Sequence, residues 1–271
     1  MKPETRWIEV SGSSPATLAM EVAGEGVPFL WSHALMGSMA QDLEGGVLAW
    51  RDLDDLCRVI RYDARGHGGS ESIGEPRDFS WEQLAINLWE VADHCGEDSL
   101  VLGGASMGSA TSLHAACLHP ERVRALVLVI PPRVWEWREG KASGYRITAK
   151  IISATRAMPI RLLARLPFSK GGSFRKNSLG IMLRDLAGAD PEGLAGAQRG
   201  AALSDLPPRD QLAALEIPTL ILAWPNDATH PLEVAEELHR TLPNSRLEVA
   251  REDEDPWRWP EMVREFIGSL Y

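Results

Sequence analysis

Cysteine is scarce in this chain of 271 residues: Cys57, Cys95 and Cys117 are the full set. They lack the paired spacing of zinc sites, and their odd number argues against a disulfide framework, so a reducing compartment is the simplest reading. Long apolar runs are missing too, and none approaches the length that crosses a bilayer. The opening stretch, Met1 to Ser14, is polar and has no signal-peptide core. These absences predict a cytoplasmic protein that does not enter a membrane. Positive charge is also in short supply. With 28 Lys and Arg against 38 Asp and Glu, the formal charge is −10, which argues against nucleic acid as a partner.

What is present suits one large α/β domain carrying an insertion. Apolar residues make up 44% and charged residues 24%, ordinary values for a chain with a real core. The charge is unevenly spread. From Arg133 to Arg184 twelve Lys and Arg face two acidic residues, Glu136 and Glu139, so this segment stands at +10 and the remainder at −20.

Short runs of Val, Ile and Leu alternate with segments of helical period, the pattern of a mostly parallel sheet with helices on both faces. Eight strands are predicted: Trp7 to Val10, Thr17 to Val22, Pro28 to Ser32, Arg58 to Tyr62, Leu100 to Gly103, Ala125 to Ile130, Thr219 to Ala223 and Leu247 to Ala250. The first two read as an antiparallel edge hairpin. Helices are expected over Trp81 to Cys95, Met107 to Cys117, Pro231 to Thr241 and Glu261 to Leu270. Between Pro131 and about Leu206 the alternation stops. That stretch is basic, broken by glycine and proline, and apolar without strand period, so it reads as a helical lid. The expected division is a core of residues 1–132 and 207–271 with a lid of residues 133–206.

Leu100-Val101-Leu102-Gly103 runs into Gly104-Ala105-Ser106-Met107-Gly108 and then into a helix rich in small residues. A serine at so sharp a strand-to-helix turn has strained backbone angles and needs small neighbours. Its hydroxyl then projects above the sheet, and the Met107 N–H points to where an oxyanion would form, aided by the helix N-terminus. A structural turn in which Ser106 merely caps the helix is the bland alternative.

With these motifs the chain resembles the lid-bearing α/β-hydrolase superfamily from about Trp7 onward. His33-Ala34-Leu35-Met36-Gly37 resembles that family's oxyanion loop, with Ala34 in place of the usual glycine. Asp63-Ala64-Arg65-Gly66-His67-Gly68-Gly69-Ser70 resembles its Asp-x-Arg-Gly-His-Gly-x-Ser turn. The resemblance implies an eight-stranded α/β-hydrolase sheet with an inserted helical lid, Leu35 N–H as the second oxyanion donor, and a supporting hydrogen-bond role for His33.

Serine needs an adjacent base, normally a histidine oriented by a carboxylate, in the chain order Ser, acid, His. Asp227, after the strand Thr219 to Ala223, matches the family's acid loop. The family's histidine follows the last strand, but here that loop reads Arg251-Glu252-Asp253-Glu254-Asp255-Pro256-Trp257, and no histidine occurs after His239. The family's histidine position falls near Glu254. Of the seven histidines, His67 belongs to the turn motif, and His94, His114, His119 and His239 read as structural or solvated. His230 remains as the substitute base, in the acid loop itself, where it and Asp227 share one short turn, although its resemblance to the His-Pro of family members that keep their usual histidine implies a pocket wall instead. Glu254 or Asp253 is the other candidate, since neighbouring acids can raise a carboxyl pKa, although a solvated acidic loop is the commoner meaning of such a run.

The basic lid has a bland reading, in which its cations face water or pair with the acidic core, and a sharper one, in which Arg133 or Arg138 binds a substrate carboxylate or phosphate. Trp135, Trp224 and Trp257, with His33 and Glu254, are the predicted pocket residues, which points to a small substrate that is acidic or apolar. The sequence therefore reads as a serine hydrolase, an esterase acting on a small ester, thioester or lactone, without metal or organic cofactor. A lyase or cyclase on the same scaffold and a ligand-binding protein without turnover stay open as rivals.

Overall fold

Alternating Val, Ile and Leu runs bounded by turn residues build one eight-stranded sheet in a computed structural model that describes residues 4–43, 53–138, 140–165, 174–252 and 255–270. The strands are β1 (Arg6–Val10), β2 (Ala16–Ala23), β3 (Val27–Ser32), β4 (Cys57–Tyr62), β5 (Leu100–Ala105), β6 (Val123–Val129), β7 (Thr219–Ala223) and β8 (Ser245–Val249). Their order across the sheet is β1-β2-β4-β3-β5-β6-β7-β8. β1 pairs with β2 and β2 with β4 antiparallel, and every other pair is parallel. The predicted eight strands and the opening hairpin are all present.

Parallel strands covered on both faces bury every side chain. β5 is buried throughout, with Leu100 and Leu102 facing one apolar cluster and Val101 the other. The first cluster packs on α2 (Trp81–His94) and α3 (Met107–Leu118), and the second on α10 (Trp259–Gly268) through Val263 and Ile267. β5 runs two residues past the predicted Gly103. Gly104 and Ala105 still pair with Leu128 and Val129, so the strand carries the chain right up to Ser106. β6 stops one residue short of prediction, because Ile130 turns out of the sheet at φ 43°.

After the short α1 (Met39–Leu43), α2 and α3, five α-helices lie between β6 and β7 among the described residues: α4 (Lys141–Thr155), α5 (Met158–Leu163), α6 (Phe174–Gly188), α7 (Pro191–Leu203) and the short α8 (Arg209–Ala213). α7 starts where Asp190 caps the Glu192 and Gly193 N–H groups, with Pro191 at the first helical position. Its glycines bring it hard against the rest of the molecule. A Cβ on Gly200 would lie 2.1 Å from the Phe79 carbonyl oxygen, and one on Gly193 2.5 Å from that of Gly66. The inserted segment is thus fastened at its end to the main body.

Across the same boundary one ion-pair network joins an acid of the basic segment to a core arginine. Glu136, an acid of the basic segment, takes Arg209 of α8 (Arg209–Ala213) at 2.7 Å, and Arg209 also bonds Glu237 of α9 (Leu232–Thr241) at 2.8 Å. Arg146, Lys150 and Arg165 are exposed to water. Among the described residues no helix is long and apolar enough to cross a membrane.

Candidate active site

Ser106 stands between the end of β5 and the start of α3 with φ 52° and ψ −109°, a conformation that L-residues rarely adopt. Its neighbours show why the turn is built from small residues. A Cβ on Gly104 would meet the Gly108 backbone at 2.3 Å, and one on Gly108 would meet the Ser32 carbonyl oxygen at 1.9 Å. The turn is braced from below. Ser106 N–H donates to the Val129 carbonyl at 2.9 Å, and the Ser109 hydroxyl reaches the Gly104 and Val129 carbonyls at 2.7 and 2.9 Å. Met107 opens α3, where backbone N–H groups have no partner within the helix.

Facing this turn is the loop after β3 that carries Leu35. Gly37 N–H closes it onto the Ala34 carbonyl at 2.8 Å, and His67 Nε2 holds the Leu35 carbonyl at 2.6 Å. His33 supports it from beneath. Its Nε2 accepts the Ala64 N–H at 2.9 Å and its Nδ1 lies 2.7 Å from the Ala34 carbonyl. Burial above all, with the charge of nearby His67, pushes the His33 imidazole down to about 3 against a weaker upward pull from Ala34. It is neutral, 1% exposed, and has both ring nitrogens engaged with backbone. His33 therefore braces the loop through both ring nitrogens.

Asp227 and His230, the predicted acid and substitute base, come from one turn after β7. Asp227 Oδ2 lies 2.8 Å from His230 Nδ1, and His230 Nε2 lies 2.9 Å from Ser106 Oγ. With Nδ1–H donated to the carboxylate, Nε2 is left to accept from the serine hydroxyl. Two residues between acid and base suffice because the turn is tight. Asn226 sits at φ 60°, and Asp227 Oδ1 accepts the Thr229 and His230 N–H groups at 2.8 and 3.3 Å. Pro231 then directs the chain into α9. Burial pushes the Asp227 carboxyl upward, but the hydrogen bond and charge of His230, with Trp224 and Thr229 as further donors, outweigh it. The carboxyl stays well below the usual range.

The remaining predicted residues are placed differently. Glu254 and Asp253 lie outside the described residues. The exposed Asp255 caps the Arg251 and Glu252 N–H groups at 2.7 and 3.0 Å, which holds its carboxyl below the usual range. Trp135 is partly buried against the core, with its Nε1–H donating to the Pro207 carbonyl at 3.4 Å and Arg209 lying 4.2 Å from its ring centre. Trp257 is half exposed and meets Phe174 at 4.7 Å. Trp224 is 7% exposed, and its Nε1–H donates to Asp227 Oδ2 at 2.9 Å. Trp224 is thus tied directly to Asp227, whereas Trp135 is held by Asp205, Pro207 and Arg209.

Both arginines singled out in the sequence are engaged by backbone carbonyls. Arg133 Nε bonds the Trp137 carbonyl, and Arg138 Nη2 bonds that of Ala201 at 2.8 Å. The sequence reading missed Lys141. At the start of α4 it is half-buried and close enough to Arg133 and Asp227 to feel both charges. Among the described residues no group of three or more His, Cys, Asp or Glu could hold a metal ion.

Comparison with known proteins gives the same picture. Residues 28–146 match the family model of the alpha/beta hydrolase fold. The chain is 28% identical to 3-oxoadipate enol-lactonase 2 of Acinetobacter baylyi over 198 residues, 72% of this chain and 71% of that protein. Its identity to 3-oxoadipate enol-lactonase 1 of the same organism is 23%, over 98% of this chain and 99% of the other. Among solved structures, a malate-bound thermophilic esterase from Thermogutta terrifontis superposes with TM-score 0.77 and 27% identity, covering 98% of this chain and 99% of that one. With the strand order, the serine turn and these likenesses in agreement, the chain has the α/β-hydrolase fold.

Proposed function

We propose that this protein hydrolyses a small ester or lactone through an acyl-enzyme on Ser106, with His230 as base and Asp227 as its orienting acid. The observation that carries the reading is the unbroken chain Ser106 Oγ, His230 Nε2, His230 Nδ1, Asp227 Oδ2, with links of 2.9 and 2.8 Å. His230 takes the serine proton as Oγ attacks the carbonyl carbon. The oxyanion of the tetrahedral intermediate is received by the Met107 and Leu35 N–H groups and by the N-terminus of α3. His230 then passes its proton to the leaving alkoxide, and in a lactone that alcohol stays tethered to the acyl group. Water repeats the sequence and releases the acid. A bare binding protein has no use for this proton relay.

The finer substrate class is an acidic ester or lactone. Lys141 and Arg133 bring positive charge beside Asp227 and His230, and the Arg133 N–H is bonded to the Thr229 carbonyl of the catalytic turn at 3.2 Å. Burial first, then Arg133, pushes the Lys141 ammonium down, and Asp227 opposes them. A substrate carboxylate would relieve that repulsion. The names of the similar proteins, 3-oxoadipate enol-lactonases and a malate-bound esterase, support an acidic compound.

The test is intact-mass analysis after a fluorophosphonate probe on wild type, Ser106→Ala and His230→Ala, with ester hydrolysis run in water enriched in oxygen-18. Labelling of wild type alone, with the heavy oxygen in the acid product, is the expected outcome. Full labelling of His230→Ala would remove His230 as base. A product without water oxygen would point to a lyase on the same scaffold.

A further inference from the structure

We infer that Trp224 is a positioning residue for the reaction: its indole N–H holds the Asp227 carboxylate in the orientation that His230 needs. The inference rests on the reading of Ser106, His230 and Asp227 as nucleophile, base and acid. It starts from the shortness of the turn. With acid and base three residues apart, both side chains hang from the same few peptide units, and the carboxylate must divide its oxygens between them. Oδ1 takes the Thr229 and His230 backbone N–H groups, and Oδ2 takes His230 Nδ1. These three donors all belong to the turn itself, so they fix the carboxylate relative to the turn. They do not fix it relative to the sheet that carries Ser106.

Trp224 supplies that reference. It directly follows β7, is almost fully buried, and donates to Oδ2 at 2.9 Å, the same oxygen that receives the imidazole. A hydrogen bond aims a carboxylate only if the donor ring cannot turn, and here the ring is held. Trp259, the first residue of α10, stacks on Trp224 at 5.4 Å with 19° between the planes. Phe174, the first residue of α6, meets it edge-on at 6.1 Å and is itself 2% exposed. The aromatic cluster therefore joins β7, α10 and the inserted α6 behind the catalytic carboxylate. A tryptophan needed only for packing could satisfy its N–H on any nearby carbonyl. This one spends it on a charged acceptor, the stronger kind of bond.

The experiment compares wild type, Trp224→Phe, Asp227→Ala, the double variant and Trp259→Phe. Fluorophosphonate labelling rates and ester kinetics are measured for each, with melting temperatures to confirm folding. Trp224→Phe keeps the ring and removes the donor, so kcat should fall by about tenfold with KM within about twofold. In the Asp227→Ala background the same substitution should change the labelling rate by less than about twofold, since there is no carboxylate left to aim. Trp259→Phe thins the stack but keeps the donor, and should lose less than about threefold. A Trp224→Phe variant with wild-type kcat, or with the same proportional loss in both backgrounds, overturns the inference. So does a Trp259→Phe variant that loses as much as Trp224→Phe, which would make the cluster mere packing. A wild type that the probe leaves unlabelled overturns the catalytic reading and this inference with it, whereas a labelled wild type indifferent to Trp224→Phe overturns this inference alone.

Discussion

Replacing Asp42 with asparagine will leave the protein's stability near that of wild type at pH 4 and raise it at pH 8. Asp42 lies in α1, just beyond the loop that carries Leu35, and is 6% exposed. Burial above all pushes its carboxyl up to about 7, against the Trp31 N–H and the charge of Arg61, and with help from Asp63 and Asp185. Because the folded pKa lies above the unfolded one, the stabilising contribution is complete below about 4. It is lost as pH rises toward 7. The difference between 3.8 and about 7 corresponds to about 4 kcal/mol once the carboxylate is forced to ionise in place. Asparagine never ionises, and its side-chain oxygen can still accept the Trp31 Nε1–H, a bond of 2.9 Å in the native protein. Other titrations, including that of His33, are common to both proteins and cancel in the comparison. Urea unfolding of the two proteins at half-unit intervals from pH 4 to pH 8.5 should show a gap that widens by about 1.4 kcal/mol per pH unit and levels off near pH 7. A gap that does not change with pH would refute the reasoning.

Two other substitutions probe the site from different sides. Lys141→Met should reduce kcat/KM about tenfold for an ester bearing a carboxylate and leave a neutral ester of the same size nearly unchanged, measured side by side. Gly108→Ala should be severely destabilising, by more than about 3 kcal/mol, because its methyl would lie 1.9 Å from the Ser32 carbonyl oxygen and neither backbone can yield without parting α3 from β3; thermal unfolding reads it directly.

The fold and the strained turn at Ser106 were legible in the sequence because each is written in local chemistry. Runs of branched apolar residues declared the strands, and Gly104 and Gly108 around Ser106 declared a turn that larger residues could not make. His230 was reached by eliminating the other histidines, since no local pattern marks a histidine as a base. The turn's geometry, with Asn226 at positive φ, is what brings Nδ1 round to Asp227. Trp224 gave no such signal. An indole in a sequence reads as apolar bulk, and only the folded chain reveals which acceptor its single N–H finds. The partners of the basic segment were not legible for a related reason. Charge totals assign no partners, and Glu136 with Arg209 bridges the boundary in the sense opposite to the totals. Gly193, Gly196 and Gly200, at three- and four-residue spacing on α7, did carry the contact with the Gly66 backbone, the Phe79 ring and the Phe79 backbone, but small residues are as common in free surfaces as in tight ones.

When acid and base sit on separate loops, three pieces of chain must agree in position, and thermal motion can spoil the alignment at either joint. Here the stretch from Trp224 to His230 travels as one body, so that only the spacing between it and the serine turn is left to vary. The two bodies are rooted in β5 and β7, which flank β6 in the same sheet. On the proposed assignment of Asp227 and His230, alignment for proton transfer then comes down to a single coordinate, the slip of β7 against β5 across β6.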